Sequence, residues 1–283
     1  MIVLMVLSLG ACSSDDLPPP PLPGDSASIA RGQEIAEGLG ACGSCHSLHG
    51  KPGEPLSGGR LMSDAFGDVQ GPNITVAKSG IGSWNESDVR VLLRSNQRPD
   101  GTALYSKFHK GLGWLSDTDL SALIAYLRNL PAVENEVEPR SIGFIGRNTT
   151  GFFLSVAEVK GYVPQTSQGF RVEYGEYLTN SVAGCNRCHA RPGGIFSSDK
   201  FMAGGEEISF DDEVKVAPNI TQSKDTGIGG WSAEDLKVYL TSGRTPAGRE
   251  VDKRFCPIDF YQRASTSEID AVVAYLRTVP PIE

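Results

Sequence analysis

Two long stretches of this chain can be laid over each other with only short gaps, and this repetition constrains the fold more than any other feature. Gly32 and the run Cys42-Gly-Ser-Cys45-His46 match Gly175 and the run Cys185-Asn-Arg-Cys188-His189 at one constant offset. Farther along, Gly58-Gly59 and Pro72-Asn73-Ile74-Thr75 match Gly204-Gly205 and Pro218-Asn219-Ile220-Thr221, again with no gap inside the pair. GIGSW at 80–84 then matches GIGGW at 227–231, and SALIAYLRNLPAV at 121–133 matches DAVVAYLRTVPPI at 270–282. The repetition predicts two homologous domains, 28–133 and 170–283, joined by a non-repeating linker over 134–169.

Each unit reads as a few helices separated by long Gly/Pro loops. Leu120, Leu123, Ile124 and Leu127 recur at helical spacing, as do Ile269, Val272, Val273 and Leu276, so each set marks the core face of a terminal helix. Ser116 with Asp119, and Ser265 with Glu268, resemble capping boxes that open these helices, and Pro131 and Pro280 stop them. A second helix is expected from Trp84 to Asn96 and from Trp231 to Ser242, the latter capped by Ser232 and Asp235. No sustained apolar alternation supports a sheet, so the expected fold class is all-α.

The C-x-x-C-H run is the attachment signature of c-type haem: two thiols form thioethers to the porphyrin edge and the adjacent histidine reaches the iron. Zinc and a redox dithiol are the rival readings. Zinc needs further ligands close by, and a dithiol does not call for the histidine. Two matched copies point to two covalently bound haem c groups, one on Cys42, Cys45 and His46, the other on Cys185, Cys188 and His189.

The two C-x-x-C-H runs, the paired PNIT and GIGxW stretches and the AYLR helices resemble class I cytochrome c domains. They are similar in particular to the multihaem cytochrome c subunits that accompany bacterial periplasmic dehydrogenases. The similarity covers most of 28–133 and 171–283. It implies a compact helical wrapping of each haem, with the first and last helices packed together near the haem edge. It also implies a sixth iron ligand, usually a methionine in a segment like LYPxMPYxxY between the GIGxW helix and the AYLR helix.

Here the chain departs from the family. Beyond the N-terminal run only Met62 and Met202 remain, both soon after the first ligand, where filling a loop or core is the expected role. Overlaying RPDGTALYSKFHK (98–110) on TPAGREVDKRFCP (245–257) pairs Phe108 with Phe255 and His109 with Cys256, at the place of the family's methionine. CPIDFY then resembles MPYxxY with one letter changed. The expectation is a first haem between His46 and His109 and a second between His189 and Cys256. The alternatives are an exposed loop histidine at 109, with Met62 or nothing on the first iron, and a thiol acting as a small hydrophobe at 256. A thiolate is the stronger donor, which predicts a lower potential for the second haem. Trp84, Trp231, Tyr105 and Tyr261 are expected as core aromatics near the haems. Lys107, Arg244 and Arg254 are cations that could pair with propionates, without an assignment, and His49 is expected as a surface residue or a hydrogen-bonding neighbour of the ligand.

A formal net charge of -8 without any Lys/Arg-rich run excludes nucleic acid as the natural partner. MIVLMVLSLGAC at the start is too short to span a bilayer and reads as a secretion signal over 1–11. Its last residues, Leu9-Gly10-Ala11-Cys12, resemble a bacterial lipobox, so Cys12 is expected to carry a lipid, with 12–27 as a Pro-rich tether to a membrane-anchored periplasmic domain. The expected function is electron transfer from a dehydrogenase or membrane oxidoreductase to an oxidase, reductase or soluble cytochrome. The rival is a dihaem oxidoreductase of the thiosulfate dehydrogenase type, acting at a His/Cys-ligated haem. The apolar patches of 143–159 are expected to dock the two domains.

Overall fold

Each repeat is organised by two helices that cross with their backbones in contact. The computed structural model describes residues 24–64, 67–104, 107–109, 111–140, 159–190 and 200–283. The secretion signal, Cys12, most of the tether, Tyr105 and the apolar run 143–158 lie outside the described residues, as does the side chain of Lys107. In chain order the first repeat contributes α1 (Ser26–Glu37), α2 (Gly43–His46), β1 (Leu61–Asp64), β2 (Gly67–Gln70), α3 (Glu86–Ser95) and α4 (Asp117–Arg128). The second contributes α5 (Arg171–Tyr177), α6 (Asn186–His189), β3 (Glu207–Phe210), β4 (Glu213–Val216), α7 (Ala233–Ser242), α8 (Ile258–Tyr261) and α9 (Thr266–Leu276).

The caps form where the sequence places them. The Ser116 hydroxyl accepts from the Asp119 amide at 3.0 Å, while Ser232 with Asp235 and Ser265 with Glu268 make reciprocal boxes. Asn85 with Asp88 supplies the matching box for α3, which opens two residues after Trp84. At the crossing of α1 with α4, a Cβ on Gly32 would overlap the Ala122 carbonyl; at that of α5 with α9, one on Gly175 would overlap the Ala271 carbonyl. At each crossing, the glycine that matches across the repeats is therefore a point where only hydrogen fits.

The all-α expectation is incorrect in one respect. A four-stranded antiparallel sheet, ordered β2-β1-β3-β4, joins the repeats. Each repeat gives one hairpin at equivalent positions, and the inner strands pair Met62 with Phe210 and Ser63 with Ser209. A lone two-stranded hairpin is marginal in water, and pairing two of them covers the inner edge of each. With four residues per strand, the inward Ile208 and Phe210 alternate too briefly to register as a strand pattern in the sequence.

The halves share one apolar core running from Ile35, Leu120 and Ile124 through Leu178 and Leu236 to Ile258 and Val272. Polar clasps cross the same boundary. Arg31 on α1 bonds Asp119 of its own repeat and Glu268 of the other, each at 2.9 Å, although Asp119 and Glu268 are equivalent residues. Arg263 reaches back to Glu37 at 2.7 Å. Arg60, with 1% of its surface exposed, lies 4.2 Å from the Phe210 ring centre and bonds Asp211 in the second repeat.

Candidate functional site

The attachment runs fold into single helical turns. After α1 the chain passes through Ala41 in a left-handed conformation (φ 45°), and the Cys42 amide bonds the Ala36 carbonyl at 2.9 Å. One turn of helix brings positions i, i+3 and i+4 to a common face, which is where Cys42, Cys45 and His46 stand. Gly184 (φ 61°) and the bond from Cys185 to Thr179 repeat this arrangement for Cys185, Cys188 and His189. None of the five described cysteines forms a disulfide.

The PNIT stretches orient the two histidines. The His46 Nδ1–H donates to the Pro72 carbonyl at 2.8 Å, and the His189 Nδ1–H to the Pro218 carbonyl at 2.7 Å. Because a carbonyl only accepts, each ring carries its proton on Nδ1 and leaves the Nε2 lone pair for a metal. Burial lowers the pKa of both rings, against the effect of these bonds, and keeps them neutral. The proline carbonyls are held in turn by the next residue. Asn73 accepts from the amide and hydroxyl of Thr75 at 2.9 and 2.8 Å and donates to the Val133 carbonyl at 2.8 Å. Asn219 does the same with Thr221 and Ile282.

Both sets of donors open onto one cavity of about 1310 Å³, larger than the roughly 300–1,000 Å³ of a site for one ordinary ligand. Its wall includes Cys42, Cys45 and His46, and Cys185, Cys188 and His189. His109 and Cys256 line it as well. The His109 ring centre stands 6.0 Å from that of His46, and its Nδ1 is buried without a hydrogen-bond partner among the described residues. Burial first, then the closeness of a second ionisable ring at His46 and of Arg187 and Arg98, push its pKa down to about 3, so it too is a neutral Lewis base. Cys256 hydrogen-bonds Tyr239 and lies near Cys185, Cys188 and Tyr261. Burial, reinforced by those cysteines, pushes its thiol up to about 12 in the polypeptide alone.

Phe108 and Phe255, which precede these two residues, both pack on Phe210, at 6.3 and 5.8 Å between ring centres. The sheet that the sequence reading missed thus anchors both segments at one ring. Met62 is buried on β1 and lines the cavity, whereas Met202 is fully buried beneath Cys185 and does not. Trp84, Trp231 and Tyr261 line the wall. Arg254 turns to Asp252 and Glu213, Arg244 stands 3.9 Å from Glu250, and His49 is exposed beside Glu54. The cations on the cavity wall are Arg98, Arg140, Arg187 and Arg249, none of which the motifs single out. The proline carbonyls were equally hidden, because a backbone acceptor leaves no mark in a sequence beyond the repetition of its neighbours.

The site fits two covalently held haem groups on the chemistry of its donors. Each half has paired thiols one helical turn apart, an imidazole whose Nε2 is kept free by a carbonyl, and apolar walls. Among the described residues no three His, Cys, Asp or Glu side chains stand together as a zinc cage requires. No helix among them is long and apolar enough to cross a membrane.

Residues 29–131 match the cytochrome c family. The chain is 30% identical to the fructose dehydrogenase cytochrome subunit of Gluconobacter japonicus, over 93% of this chain and 54% of that one. It is 28% identical to the cytochrome c subunit of the quinone alcohol dehydrogenase of Gluconobacter oxydans, over 99% of this chain and 59% of that one. A dihaem cytochrome c-type protein of Cereibacter sphaeroides is 29% identical over 92% of this chain and 88% of its own length. The chain therefore spans little more than half the length of the two dehydrogenase subunits.

Proposed function

We propose that this chain, a member of the cytochrome c family that carries two haem c groups, passes electrons from an exported or membrane-bound dehydrogenase to a downstream redox protein. The observation that carries the reading is the single cavity lined by both attachment turns, which keeps the two haems in one apolar enclosure between partners. The haem irons supply the one-electron change, and the protein supplies ligation, spacing and dielectric. Cys42 and Cys45 hold one group by its edge and Cys185 and Cys188 the other, while His46 and His189 are held in the ligating tautomer by Pro72 and Pro218.

In this reading His109 completes the first site and Cys256 the second. An imidazole pair about a metal has facing nitrogens roughly 4 Å apart and ring centres about 6 Å apart, which accords with the 6.0 Å between His46 and His109. For Cys256 the support is its place on the wall beside Cys185 and Cys188 and its tie to Tyr239. Two strong ligands per iron favour transfer over reaction with small molecules. Residues 28–133 and 170–283 form the two haem domains, with 1–11 as signal, Cys12 as a lipidated anchor and 12–27 as the tether in the periplasm. The dehydrogenase relatives support such a partner.

Low-temperature electron paramagnetic resonance of the oxidised protein tests the ligands. A low-spin thiolate signal that disappears in Cys256→Ala and a second low-spin signal altered in His109→Ala are expected; either signal unchanged removes that ligand. Reduction by thiosulfate alone would favour the oxidoreductase reading. Lys253 and Arg254, the cations beside Cys256 in the chain, lend that reading no support, because Lys253 pairs with Asp259 and Arg254 with Asp252 and Glu213, all at 2.7 Å.

A further inference from the structure

The two attachment turns match at both cysteines and the histidine, and of the three positions at which they differ, two belong together. Arg187 overlays Ser44, and Gly184 overlays Ala41. Both Ala41 and Gly184 take the left-handed backbone, at φ 45° and 61°, so the backbone alone does not require glycine at 184. The space does. A Cβ at Gly184 would collide with Nε and Cζ of Arg187, whose side chain folds back across this residue and donates to the Ser181 carbonyl at 3.2 Å. The second turn has given up a side chain to seat a cation.

That cation faces both sites. Arg187 lies between Cys185 and Cys188 in the sequence and lines the shared cavity with Cys42, Cys45 and His109 of the other repeat. Its charge acts on both pairs of sulfurs and on His109. An arginine stays protonated at any working pH, so this field is constant. A ferric haem carries one more positive charge than a ferrous one, and an enclosed, weakly polar site strengthens the interaction between charges.

We infer that Arg187 is a shared electrostatic element that favours the ferrous state of both haems and so raises both midpoint potentials. It is a positioning residue for charge and ligates neither iron. The inference rests on the two-haem reading but not on the identity of the distal ligands.

The test is potentiometric titration of the full chain, followed by visible spectra, with haem content checked by mass. In Arg187→Gln both midpoints should fall, so that at the wild-type midpoints the ferrous-to-ferric ratio drops about tenfold, or about 59 mV for a one-electron couple. Arg187→Lys should restore most of the shift, because it keeps the charge. Gly184→Ala, which displaces the guanidinium without removing it, should move both midpoints in the same direction by less. Arg187→Gln with two haems and wild-type midpoints would overturn the proposal, as would a lysine variant displaced as far as glutamine. Should the glutamine variant fail to assemble, unchanged midpoints in Gly184→Ala overturn it. Failure of the wild-type chain to carry two haems would instead remove the dihaem reading itself.

Discussion

The two repeats agree where the backbone needs support and in the attachment residues themselves, and differ at several other side chains that meet the cavity. Gly32 and Gly175 make the same helix contact, Asn73 and Asn219 the same turn, and Pro72 and Pro218 accept from equivalent histidines. On the cavity wall, His109 stands where the other half has Cys256, and Ser44 where it has Arg187; away from the wall, buried Arg60 stands where it has Glu206. Duplication has preserved the scaffold and left the electronic surroundings of each site free to diverge. Under the proposed carrier role, that divergence would be what gives two chemically identical groups different potentials.

The largest expected effect tests the shared part of the comparison. Valine at Gly32 drives two methyls and a Cβ into the Ala122 carbonyl, and valine at Gly175 does so at Ala271. Each should cost about 3 kcal/mol, read as a lower urea midpoint at constant slope. Equal losses support equivalent crossings in a shared core; a loss at one site only would show that the repeats are not structurally interchangeable.

These crossings were legible in the sequence because helical spacing, caps and a glycine at a fixed offset all pointed to them. The attachment turns were legible for the same reason, since their chemistry is written in consecutive residues. The sheet was not, because its strands are four residues long and are stable only when hairpins from distant halves meet. Arg60 and Arg187 were not legible either: nothing local distinguishes an arginine bound for the interior from one in solvent. The placing of His109 beside His46 came from overlaying one repeat on the other, and no motif names it.

A second substitution separates the repeats at their interface. Arg31 bridges Asp119, whose side chain is 3% exposed, to Glu268, and its own equivalent in the second repeat is Tyr174. In Arg31→Met, the Asp119 carboxylate keeps the Tyr177 hydroxyl at 2.6 Å as its remaining hydrogen-bond partner among the described residues. The loss should be about 2 kcal/mol, below the full cost of breaking a buried pair because Arg31 is partly exposed. Tyr174→Phe, which keeps the ring packing, should cost less than about 1 kcal/mol in the same unfolding experiment. A reversed order would place the clasp on the tyrosine side.

Making the distal residues alike probes the comparison directly. If Cys256 is the thiolate ligand, Cys256→His gives the second site the donor pair of the first and should raise its midpoint. At the original midpoint, the ferrous-to-ferric ratio should increase at least tenfold, about 59 mV, with the thiolate resonance signal lost. The two redox waves should then move closer together. Waves that stay where they were would place the asymmetry in the surrounding charges, Arg187 foremost.

The smallest effect concerns acid, and it belongs to one repeat only. Asp252 precedes the Cys256 segment and overlays Tyr105, so the first repeat has no carboxylate there. Hydrogen bonds from Arg254, at 2.7 and 3.0 Å, and then from Lys215 on β4 outweigh partial burial and hold the Asp252 carboxyl well below its usual range. A carboxyl depressed in the folded state stabilises at pH above its unfolded value, near 3.8, and the contribution fades as the pH falls from there through the folded value. Amide protection factors over 252–261, corrected for the intrinsic pH dependence of exchange, should therefore fall modestly between pH 5 and about pH 3, while the helix crossings of both repeats stay protected. Asp252→Asn should exchange faster at pH 5 and lose most of the acid response, because the charge that titrates is gone. An acid response as large in the asparagine variant would assign it to other groups, and the second repeat would then have no latch that the first one lacks.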